Sequence, residues 1–95
     1  ALGDDGQLKG TDISTQTERC IENIRAVLAE VDGDLTNVIK ATVWLVERRD
    51  FGSFNKIYAK HFPQNPPARS AVCSELMLPG ALVEIEVVAY LPNPL

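Results

Sequence analysis

The stretch "ARSAVCSELMLPGALVEIEVVAYL", residues 68–91, holds two apolar runs, 68–75 and 81–91, separated by the turn-forming "LMLPG" of 76–80. That pattern predicts two strands joined in a hairpin. In an antiparallel pair the position numbers of opposed residues sum to a constant, so one register decides every face. An odd sum, with Ala71 opposite Glu84, puts Ser70, Val72 and Ser74 with Val83, Ile85 and Val87 on the core side. Arg69, Ala71 and Cys73 then share the other face with Leu82, Glu84, Glu86 and Val88. An even sum would mix Val83 and Ile85 with Arg69, so the odd register is expected.

Upstream, "TDISTQTERCIENIRAVLAEVDG" (11–33) repeats Ile13, Thr17, Cys20, Ile21, Ile24, Val27, Leu28 and Val31 at three-to-four spacing. It predicts an amphipathic helix capped by Thr11 or Asp12 and ending near Gly33. "VIKATVWLVE" (38–47) predicts a strand with Ile39, Ala41, Val43 and Leu45 on one face and Lys40, Thr42, Trp44 and Val46 on the other. Both faces are partly apolar, so the second is expected to meet another subunit or sheet. "RRDFGSFNKIYAKHF" (48–62) predicts a short second helix with Asp50 as N-cap and Phe51, Phe54, Ile57, Tyr58 and Phe62 at helical spacing. "PQNPP" (63–67) ends it and leads in extended form toward Arg69. The first ten residues, "ALGDDGQLKG", read as an exposed loop. The order helix, strand, helix, strand, strand predicts one α+β domain over 1–95, two helices on one face of a mostly antiparallel sheet.

Thirteen acidic against nine basic residues give a net charge of −4, which disfavours the clustered cations of a nucleic-acid surface. Arg48-Arg49, the one basic pair, reads as a solvated loop. No apolar run is long enough to span a bilayer. Cys20 and Cys73 lack CxxC spacing. Together with the lack of a visible secretory signal, they read as free thiols of a cytoplasmic protein. His61 stands alone in its helix, and nothing resembles a metal site; a structural or surface histidine is expected there.

Arg69 and the glutamates of the last strand admit two readings. One is a cross-strand ion pair between Arg69 and Glu86 on a solvated face. The other is a carboxylate clamp: the rigid guanidinium fork of Arg69 binds an acid bidentately while Glu84 holds or deprotonates a water.

These residues resemble the YjgF/RidA family of enamine and imine deaminases. "DISTQTERCIENIRAVLAEVDGDLTNVIKATVWL" resembles the family's first helix and following strand, "DFGSFNKIYAKHF" its second helix, and "PPARSAV" with "LPGALVEIEVVAY" its signature region. The resemblance implies a chorismate-mutase-like α+β fold and a homotrimer with clefts between adjacent subunits. It implies no cofactor, because an imine carbon beside a carboxylate is already electrophilic and needs only water and proton transfer. Arg69 falls at the position that binds the substrate carboxylate and Glu84 at that of the carboxylate acting on water. Asn55 matches a position that supports the cleft. Many members have a cysteine where this chain has Ala71, so here water rather than sulfur is the nucleophile, and Cys73 does not replace the missing thiol. The family also carries a further N-terminal segment with two strands, a cleft tyrosine and a Ser-Gly pair, which this chain is expected to lack. The implied activity is hydrolysis of 2-imino or 2-enamino acids to 2-oxo acids and ammonia, a reactive-metabolite detoxification. The alternative is a non-catalytic small-carboxylate binder or chaperone-like interaction protein; a nuclease comes third, given the acidic balance.

Overall fold

Asp12 opens the first helix because its carboxylate accepts a 2.7 Å hydrogen bond from the Thr15 amide and another from the Thr15 hydroxyl, which satisfies orphan donors of the first turn. The computed structural model describes residues 12–92, so Thr11 and the expected loop over 1–10 lie outside the described residues. Helix α1 spans Ile13–Ala29. It ends four residues before the expected glycine: Asp32 takes the left-handed conformation (φ 59), and the Gly33 amide donates to Leu28 O at 2.8 Å. A Cβ at Gly33 would come within 2.8 Å of Leu91 Cδ2, so that side chain would have to shift to admit one.

Strand β1 (Val38–Leu45) follows a single 3-10 turn over Leu35–Asn37. Helix α2 spans Phe51–His61, strand β2 Ala68–Cys73 and strand β3 Val83–Ala89. Asp50 stands at the N-cap of α2 without a side-chain bond, because a 3-10 turn over Arg48–Asp50 already leads into the helix.

The sheet order is β2-β1-β3, which corrects the hairpin. β2 runs parallel to β1, with Ala41 beside Arg69 and Val43 beside Ala71. β3 pairs antiparallel on the other side of β1, with Val43 beside Ile85 and Trp44 beside Glu84. The fold class is α+β as read, but the sheet is mixed. A crossover containing α2 is long enough to return β2 parallel to β1, and the connection over 74–82 carries the chain across β1 instead of turning back.

Pairing through β1 reverses the expected face of β2 alone, while Val83, Ile85 and Val87 stay on the core side as expected. Arg69, Ala71 and Cys73 align with Ala41, Val43 and Leu45, and these align with Val87, Ile85 and Val83. This is the helix side, where Ala41, Val43, Leu45 and Val83 are buried with Ile21, Leu28, Phe54 and Tyr58. Glu84 and Glu86 align with Trp44 and Thr42 on the opposite face. Ile39 is also displaced: a register shift between Val38 and Lys40 turns Val38 into the core and leaves Ile39 55% exposed, the effect of a β-bulge on side-chain alternation.

Candidate carboxylate site

Arg69 projects from the edge strand β2 toward α2, where Phe51, Phe54 and Tyr58 recur at helical spacing. Its guanidinium carbon lies 5.4, 5.9 and 4.8 Å from their ring centroids, within the range of cation–π attraction. Nη1 donates to Asn55 Oδ1 at 2.6 Å. One helix thus supplies both an aromatic ledge and an acceptor, and the planar fork is held while most of its donors remain unused. Among the described residues the ion pairs involve Arg25, Lys60, His61, Glu18 and Glu22, and none involves Arg69.

Two grooves meet at this arginine. One, about 390 Å³, is lined by Leu45, Arg48, Phe51, Arg69, Ala71, Val72 and Cys73. The other, about 410 Å³, runs along Asn55, Tyr58, Phe62 and Pro67. The Tyr58 hydroxyl is buried without a hydrogen-bond partner, and burial raises its pKa while Arg69 partly opposes the shift. Another groove, about 520 Å³, lies elsewhere, between α1 and β3, with Cys20, Val27, Val83, Glu84 and Val87 in its lining. No cation is among its lining residues, whereas Arg69 lines both of the grooves described above.

The site brings together Arg69, Asn55 and Ala71 but not Glu84. Glu84 lies on β3, beyond β1 and on the other face. The expected sharing of a face by Arg69 and Glu84 is therefore overturned, as is the Arg69–Glu86 pair, because both rested on a hairpin that does not form. Within one chain, Glu84 cannot deliver water to a ligand held by Arg69. The aromatic ledge went unread for a different reason: Phe51, Phe54 and Tyr58 have the spacing of ordinary core residues, and only the position of β2 shows what lies above them.

His61 belongs to a separate cluster between the helices. Its Nε2 meets Glu18 Oε1, Arg25 Nη2 lies 3.1 Å from its Nδ1, and Lys60 donates to Glu18 at 2.7 Å. An arginine can only donate, so Nδ1 accepts and Nε2–H is given to Glu18. Bonds from Lys60 and His61 hold the Glu18 carboxyl below its ordinary value. The Cys20 thiol, beneath β3, is pushed up by burial. Among the described residues no group of three or more His, Cys, Asp or Glu could hold a metal, and no helix is long and apolar enough to cross a membrane.

Two helices on one face of a three-stranded mixed sheet, with an arginine presented from the edge strand over the second helix, define the α+β class of the fold. The chain belongs to the endoribonuclease L-PSP family, also called YjgF/RidA, whose model matches residues 1–91. It is 40% identical over 85 residues to the RutC family protein PYRAB12510 of Pyrococcus abyssi, covering 90% of this chain and 67% of that one. It is 36% identical over 84 residues to the human 2-iminobutanoate/2-iminopropanoate deaminase, covering 88% of this chain and 61% of the relative. The crystal structure of yeast Mmf1 superposes with a TM-score of 0.87 at 34% identity, covering 93% of this chain and 70% of that one. The chain thus spans about two thirds of the length of such relatives. Their names include a deaminase beside a family name denoting an endoribonuclease, so membership alone does not select an activity.

Proposed function

We propose that the protein hydrolyses small 2-imino or 2-enamino acids to 2-oxo acids and ammonia, in a cleft where Arg69 of one copy holds the carboxylate and Glu84 of another acts on the water. The observation that carries this reading is Arg69 itself: a guanidinium without an acidic partner among the described residues, seated on three rings and oriented by Asn55. The likeness to a named imine deaminase supports the same substrate class. Separation of Glu84 from Arg69 on opposite faces supports a site shared between subunits, the arrangement that the resemblance to a trimeric family implies.

In this scheme the substrate carboxylate takes the free donors of Arg69. Glu84 accepts a proton as water adds to the C=N carbon, and the proton passes to nitrogen. The resulting carbinolamine expels ammonia and becomes the 2-oxo acid, so one water enters for each ammonia lost. No oxidant is required.

Complementation tests it. An amino-acid oxidase generates the imine in situ and oxo-acid formation is followed. Arg69→Ala and Glu84→Gln should each abolish the acceleration, and co-refolding the two should restore part of it, since mixed assemblies pair an intact Arg69 with an intact Glu84. Failure to recover activity, with both variants assembled, overturns the shared site.

A second reading is favoured by the same face separation: a carboxylate-binding protein without turnover. It expects 2-oxo acids to bind at Arg69 while the wild-type protein leaves imine hydrolysis unaccelerated.

A further inference from the structure

Arg48 and Arg69 line the same groove, together with Leu45, Phe51, Ala71, Val72 and Cys73. No aspartate or glutamate is among these residues, although the chain as a whole carries a net charge of −4. Neither guanidinium has an acidic partner among the described residues. Glu47, the neighbour of Arg48, is exposed and outside the lining. Two like charges facing one apolar-walled groove repel each other, and a ligand with two anionic groups offsets that repulsion while a single carboxylate does so only at one end.

We infer that the site selects dicarboxylic 2-imino acids, the imines of acidic amino acids, with Arg69 on the carboxylate beside the imine and Arg48 on the distal one. The inference rests on the reading of Arg69 as the carboxylate clamp and deepens it to a substrate class. Arg48 comes from the 3-10 turn after β1 and Arg69 from β2, so the two anchors are supplied to the groove by different elements. Ala71 adds only a methyl group to the wall, which leaves room for the chain between the carboxylates. The reaction that supplies such a substrate is the two-electron oxidation of an acidic amino acid, or the loss of water from a β-hydroxylated one.

The test uses 2-oxoglutarate and 2-oxopentanoate, which have the same carbon count and differ in the second carboxylate, titrated calorimetrically into the full-length protein at one moderate ionic strength. The dicarboxylate should bind about tenfold or more tightly, the scale of one charge-assisted contact. Arg48→Gln should collapse that ratio to about two or less, while Arg49→Gln, outside the groove, should keep it. Equal affinities in the wild type, or a ratio that survives Arg48→Gln, overturn the dicarboxylate preference and leave the Arg69 clamp standing. Absence of binding by either acid overturns both.

Discussion

At the scale of the residue, Arg69 differs from an ordinary exposed arginine because its plane is already placed. Three aromatic rings lie below it and Asn55 takes one of its donors, so less side-chain freedom is lost when an acid arrives. A lysine would keep the charge and lose the plane, the stacking and the fork. Arg69→Lys is therefore expected to weaken 2-oxo-acid binding about tenfold or more, with folding little changed because the residue is exposed. Calorimetric titration with 2-oxobutanoate checks it, and near wild-type affinity would show that charge alone suffices.

At the scale of the element, the helices and strands were legible and their partners were not. Apolar spacing along 13–31 and 51–62 suffices to predict α1 and α2, β-branched runs predict β1 and β3, and the extended lead-in of 63–67 points to β2. The hairpin failed because the alternation of "VEIEVV" shows which residues share a face but not which strand they lie against. Both flanking strands satisfy the alternation equally by pairing with Val38–Leu45. The missing clue is Gln16, which occupies an apolar position of α1 and is fully buried. Its Nε2 donates to Gly80 O at 3.0 Å and its Oε1 accepts from Leu82 N at 2.8 Å. It thereby anchors the crossing segment before β3. Gln16→Leu should cost about 1–3 kcal/mol, the scale of buried backbone groups left unpaired, read from urea unfolding. It should also raise amide exchange selectively around Leu82, and uniform protection would remove the anchoring role. The Glu18 cluster ties α1 to α2 in a pH-dependent way. Its folded carboxyl is held below the ordinary 4.5, so its contribution is present above that pH and is lost as pH falls through the lower folded value. Glu18→Gln should lower stability at neutral pH by less than about 1 kcal/mol, because the pair with Lys60 is exposed. The gap from wild type should close on acidification below pH 4.5. A gap that persists in acid would assign the loss to packing instead.

At the scale of the whole molecule, the two sheet faces are unequal. The helices cover Ala41, Val43 and Leu45, whereas the other face presents a half-buried Trp44 between Val72, which is 47% exposed, and Glu84, with Val88, 52% exposed, beside Lys40 further along the strand. Trp44, Val72 and Val88 interspersed with Lys40, Glu84 and Glu86, on a face that no described helix covers, suit association between copies. In the shared site proposed above, association supplies the Glu84 of one copy to the Arg69 of another, so assembly and chemistry should fail together. Trp44→Lys places a charge in the middle of that face, and desolvating it on association is costly. The variant is expected to sediment as a monomer with an unchanged far-ultraviolet dichroism spectrum, since Trp44 lies off the helix-side core, and to lose imine hydrolysis. It should nevertheless bind 2-oxobutanoate at Arg69 within about threefold of the wild type, because the aromatic ledge, Asn55 and the arginine all belong to one chain; the allowance is the usual two- to threefold context dependence of a single contact. An assembled and active Trp44→Lys would move the interface elsewhere. A monomer that still hydrolyses imines would show that water reaches the bound substrate without a second subunit, and the role given to Glu84 would pass to the groove beside Tyr58.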